Sequence, residues 1–154
     1  MKIETAITRI KSSTHDISDE YSRERCIEFI NTALQQTSAL LIAAQYPALV
    51  KEMMVRDGDR LPQNYIKAAG TYPLRMTDGR AEIVDDSEAV RFRYWATPEL
   101  VTENTQDMPY PHDAINDCIV RAAVILALNE NEYDISADNS ILSVLQTAIS
   151  SAMA

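Results

Sequence analysis

Residues 89–134 read AVRFRYWATPELVTENTQDMPYPHDAINDCIVRAAVILALNENEYD, and this stretch decides the fold. It opens as an alternating strand, Val90-Arg91-Phe92-Arg93-Tyr94-Trp95, with Val90, Phe92 and Tyr94 on one face and Arg91, Arg93 and Trp95 on the other. An acidic connector holding Pro98, Pro109 and Pro111 follows, and then a long apolar helix. The apolar period changes from 2 to 3.6 within about two dozen residues, the signature of a sheet feeding a helical core.

Working outward, all three glycines and all six prolines fall between residues 47 and 111. These are the strongest breakers of regular structure. Their confinement predicts helices, then an irregular β-containing insert, then helices again. Ile3, Ile7 and Ile10 mark a first helix over about 4–11. A second over about 22–46, with Ser22 as N-cap and Pro47 as stop, carries Cys26, Phe29, Ile30, Ala33, Leu34, Leu40 and Leu41 on one face. Leu49 to Val55 has no clear period and reads as helix extension or strand. Within an insert over about 53–95, Asp78-Gly79 between apolar segments predicts a hairpin. The segments at 72–76, 81–84 and 89–95 then predict a three-stranded meander. Helices over about 112–129 and 138–152 complete the chain, the former the most buried element. The expected fold is mainly α: a single domain of about four helices with a small antiparallel β-meander inserted.

The 154 residues carry a net charge of −9, and 46% are hydrophobic, the composition of a globular protein that needs neither metal nor disulfide staples. No apolar run approaches the ~20 residues that cross a bilayer, and the first residues show no leader-like apolar region. Cys26 and Cys118 both fall on apolar stripes and read as buried thiols. Residues 112–154 hold six acids against one base, Arg121, a sign that repels phosphate and disfavours gripping nucleic acid.

Catalytic patterns are poorly supported. His15 reads as a residue of a polar turn and His112 as one at a helix start. No nucleophile elbow, Cys/His pair or His-Glu-x-x-His is present, and three glycines cannot build a phosphate-cradling loop. Asp57/Asp59 and Asp78/Asp85/Asp86/Glu88 are carboxylate groups of turn composition without calcium-loop spacing. Arg91 and Arg93 alternate with Phe92 and Tyr94 but point to the opposite face, which suits an interface strand better than a base-stacking one. Trp95, the sole tryptophan, is core or interface anchor.

The ordered set Ile27-Glu28-Phe29-Ile30-Asn31-Thr32-Ala33, Leu61-Pro62-Gln63-Asn64-Tyr65-Ile66, Gly70-Thr71-Tyr72-Pro73-Leu74, Asp78-Gly79, Arg93-Tyr94-Trp95-Ala96-Thr97-Pro98, Met108 to Ile115 and Ala122 to Asn129 resembles the head–tail connector adaptor (head-completion) proteins of tailed bacteriophages. The resemblance covers about residues 15–135. It implies a non-enzymatic virion protein of the neck without cofactor or metal, a helical domain with an inserted β-element. It would be assembled as a ring, typically of twelve copies, below the portal, where it extends the DNA channel and seats the next neck or tail component. Genomic DNA would pass through without specific binding, and no membrane is involved. Candidate protein contacts are then Arg91, Arg93 and Trp95, the connector with Glu99 and Tyr110, and Ile141, Leu145 and Ile149 of the last helix. Glu130, Glu132, Asp134 and Asp138 are candidate channel-facing acids. A small helical regulatory or protein-binding module, monomeric or dimeric, is the competing expectation; a metal-dependent enzyme built on the Asp78–Glu88 acids is a third.

Overall fold

The computed structural model of the chain describes residues 1–14, 21–128 and 139–153. They fall into two compact units, one of Met1–Ala44 with Glu99–Ala154 and one of Gln45–Pro98. The first holds α1 (Ile3–Ser13), α2 (Arg23–Ala43), α3 (Asp113–Leu128) and α4 (Asn139–Met153). The second holds β1 (Val50–Arg56), β2 (Asp59–Arg60), β3 (Tyr65–Ala68), β4 (Leu74–Thr77), β5 (Arg80–Ile83) and β6 (Ala89–Ala96).

The mainly-α expectation is therefore wrong. Six strands form two three-stranded antiparallel sheets, β1-β6-β3 and β2-β5-β4, so the fold is α+β. The predicted meander is also corrected. The Asp78-Gly79 hairpin joins β4 to β5 as foreseen, with both turn residues at positive φ (51° and 74°), the geometry that matches strand twist. But β6 leaves that hairpin and becomes the central strand of the other sheet, between β1 and β3. The ambiguous Leu49–Val55 segment is mostly the β1 strand, opened by a 3₁₀ turn at Pro47–Leu49.

The alternation of β6 survives into packing. Val90, Phe92, Tyr94 and Ala96 are buried, while Arg91 and Arg93 are exposed. Val55, Met53 and Lys51 stand opposite Val90, Phe92 and Tyr94 in register. Leu74, Met76, Ala81 and Ile83 of the second sheet pack on the same core. Its centre is aromatic: the Phe92 ring lies 5.6 Å from Tyr72 edge-on, 5.5 Å from Tyr94 and 6.5 Å from Tyr65. Such pairs add ~0.5–1.5 kcal/mol each beyond area burial.

In the helical unit α3 packs against α1, α2 and α4. Ile115, Cys118, Ile119, Ala122, Ala123 and Leu126 are inaccessible to solvent, which makes α3 the central helix. Ser22 caps α2 as predicted, its hydroxyl accepting from the Arg25 N–H at 3.2 Å.

The connector from Glu99 to Pro111 belongs to the helical unit and is not a free loop. Within the helical unit it is stitched down by two asparagines, each pairing its side-chain amide with both polar groups of one connector residue. Asn31 of α2 donates to the Val101 carbonyl at 2.9 Å and accepts from its N–H at 2.8 Å. Asn116 of α3, fully buried, donates to the Tyr110 carbonyl at 2.7 Å and accepts from its N–H at 3.3 Å. Backbone bonds from Ile3 to Gln106 and from Met108 to Met1 fasten the middle of the segment. Asn116→Ala removes both of its bonds to the buried Tyr110 backbone and should cost about 2–3 kcal/mol. The half-buried Asn31→Ala should cost less; urea unfolding followed by far-UV circular dichroism checks the order.

Candidate functional site

The face of the β1-β6-β3 sheet turned away from the aromatic core brings together residues that are distant in sequence. On β6 it shows Arg91, Arg93 and Trp95, and on β1 the register places Val50, Glu52, Met54 and Arg56 beside them. On β3 the register sets Lys67 opposite Trp95, and Ile66, alternating with the core-packed Tyr65, falls on the same face. Met54 is 54% exposed and Ile66 50%, while Trp95 is half-buried. Arg56, Lys67, Arg91 and Arg93 share this face with one carboxylate, Glu52, which forms an ion pair with the Arg91 guanidinium at 3.2 Å. In a chain of net charge −9, this is a local basic surface with apolar ground between the charges.

The predicted contact residues are thus only partly united. Arg91, Arg93 and Trp95 share this face. Glu99 is exposed at the start of the connector, beside Leu100, itself 48% exposed. Tyr110, expected at an interface, is instead 4% exposed, and its hydroxyl meets that of Ser38 at 2.6 Å; it closes the helical core. Ile149 of α4 is half-buried and, with Ala44, Gln146, Thr147 and Ser150, lines an open depression of about 480 Å³. The side chains of Ile141 and Leu145 lie outside the described residues, as do Glu130, Glu132, Asp134 and Asp138.

No protein-family profile and no curated protein sequence matches this chain.

The turn carboxylates have local work. Asp57 accepts from the Ile83 N–H at 2.9 Å, Asp59 from Arg56 at 2.8 Å and Asp85 from Ser87 at 2.9 Å. The Ser87 backbone N–H, with its hydroxyl, holds the Asp85 carboxyl below the usual range. Among the described residues, no three His, Cys, Asp or Glu side chains converge as metal ligands would, and no helix is long and apolar enough to cross a membrane.

The residues of this face missed from the sequence are those of β1 (Val50, Glu52, Met54 and Arg56) and of β3 (Ile66 and Lys67). Met53 and Met54 are both apolar, which blurs the period of β1, and the signal that resolves it is the register with β6, Met54 opposite Arg91. Those of β3 are placed by its irregular register, which no local pattern announces.

Both cysteine side chains are solvent-inaccessible, and burial pushes the Cys118 thiol up to about 11. Neither should react with a water-soluble thiol reagent at pH 8 until the chain is denatured. The folded state holds the Cys118 proton more tightly than the unfolded chain. Its contribution is therefore complete below pH 9 and disappears as pH rises through about 11. Cys118→Ala should flatten that alkaline decline in unfolding free energy. The sheet face makes a separate prediction: Phe92→Ala should cost about 3–5 kcal/mol of stability, and Trp95→Ala less than half as much, as measured by urea unfolding.

Proposed function

We propose that this chain is a non-enzymatic adaptor of the bacteriophage head–tail junction, working as a ring of copies below the portal and seating the next neck or tail component. The observation that carries the reading is architectural. Residues 45–98 form a β-unit inserted once into the helical unit; an insert at this place is what the resemblance implies, although its two three-stranded sheets are more than the small β-element expected. Of the segments bearing the resemblance, Ile27 to Ala33 lies in α2, Arg93 to Ala96 in β6, and Ala122 to Leu128 ends α3.

The surface chemistry supports the same reading. The β-unit exposes apolar side chains among fixed charges, the composition of a protein contact rather than of an active-site cleft. Asp85, one of the Asp78–Glu88 acids, is engaged by the Ser87 N–H of its own turn, which counts against the metal-enzyme alternative.

The test is association with the portal ring of the same particle, followed by sedimentation and by imaging of assembled particles. Co-sedimentation in a fixed multiple of the portal subunits, with the chain visible beneath the portal, is the expected result. Trp95→Ala should weaken that association at least about tenfold, the weight of a modest hot spot, with a smaller loss of folding stability. A chain that ignores the portal and is missing from particles overturns the proposal, and a stable monomer or dimer with another protein partner favours the regulatory-module reading.

A further inference from the structure

We infer that the basic outer face of the β1-β6-β3 sheet docks on a second copy of this chain, against the acidic segment that begins at Glu99. It rests on the ring reading above only for closure of the contact into a ring; the pairwise contact stands on surface chemistry.

Two observations select this occupant. First, charge is segregated. Four of the chain's 14 basic residues, Arg56, Lys67, Arg91 and Arg93, lie on this one face, against Glu52 alone. The remainder of the chain is correspondingly more acidic than its net −9. A second copy therefore meets this face with attraction from most of its surface, whereas basic face against basic face repels. Second, the apolar groups are matched. Met54 and Ile66 stand exposed among the cations, and Leu100 stands exposed between Glu99 and Glu103. Residues 99–107 contain Glu99, Glu103 and Asp107 and no base. Asp107 is paired with Lys2 at 3.0 Å, whereas Glu99 and Glu103 are exposed, the Arg23 guanidinium donating to the Glu103 backbone carbonyl at 3.1 Å. The Asn31–Val101 pairing holds this segment in place, so it presents a set shape rather than a loose tail. Apolar burial supplies affinity and the flanking charges supply register.

A duplex nucleic acid could also be attracted by four cations. The net charge of the chain and the apolar ground between the arginines favour the protein partner, and the experiment separates them.

The test is a charge exchange, read by sedimentation equilibrium up to about 1 mM, the weak end of specific association. The wild type should self-associate, and less so as salt rises. R91E/R93E alone and E99K/E103K alone should each associate at least about tenfold more weakly, because each sets like charges against one another. An equimolar mixture should recover association, since every basic face then meets an acidic segment again. Should R91E/R93E fail to fold, K67Q/R93Q, whose side chains make no ion pair among the described residues, carries the same arm. No self-association of the wild type at about 1 mM, or no recovery on mixing, overturns the contact. Binding of short duplex DNA that R91E/R93E abolishes while self-association is unchanged also overturns it. A mixture that recovers but stops at a dimer keeps the contact and removes the ring. An R91E/R93E chain that still forms rings on the portal keeps the adaptor and removes the contact.

Discussion

The helical unit depends on one constraint: the connector must lie against the helices, and its peptide groups cannot be left unpaired there. A segment without regular structure has no ladder partner of its own, so the polar groups it buries need an outside source. Here the source is the side-chain amide, which carries a donor and an acceptor side by side as a peptide does. Asn31 and Asn116 each mimic a strand neighbour for one residue. Because Asn116 is also on the central helix, the path of the connector is tied to the helix with the most neighbours. The positions of Leu100, Val101 and Tyr110 follow from those two pairings.

The β-unit answers the same problem differently. β6 is central in its sheet and has backbone partners on both sides, β1 along its whole length and β3 along its second half. Where β3 ends, Tyr72 takes over: its hydroxyl accepts from the Arg93 N–H at 3.1 Å and donates to the Ala69 carbonyl at 3.2 Å. An aromatic residue thus serves the core with its ring and the sheet edge with its tip. That arrangement keeps the alternation of β6 strict, with one face apolar and the other basic.

Local signals in the sequence translated well into local structure. The confinement of Gly and Pro marked the inserted unit, Ser22 marked a helix start, Asp78-Gly79 marked its hairpin, and the Val90–Trp95 alternation assigned both faces of β6. The extent of β structure did not emerge, because sheet membership is decided by partners remote in sequence. β6 follows the hairpin directly yet pairs with β1, and the Met53-Met54 repeat left β1 undecided between helix extension and strand. The fixed path of the connector was not legible for a related reason. Its lack of period is real, but its order comes from Asn31 and Asn116 on other elements. Tyr110 lies among prolines and looks exposed by composition, while its burial is dictated by Ser38, 72 residues away. On the candidate face, the three residues contributed by β6 were legible and those contributed by β1 and β3 were not.

The discontinuity of the helical unit has a consequence for synthesis. Residues 45–98 are contiguous, so the ribosome releases every strand of the β-unit before α3 exists. α1 and α2 must wait, with Phe29, Ile30 and Leu34 uncovered, until the polypeptide is long enough to deliver Ile115 and Ile119. The two ends of the waiting insert are meanwhile drawn together, since Val50 and Trp95 face each other across neighbouring strands. The early-folding piece thereby shortens the loop that the late-folding piece has to close.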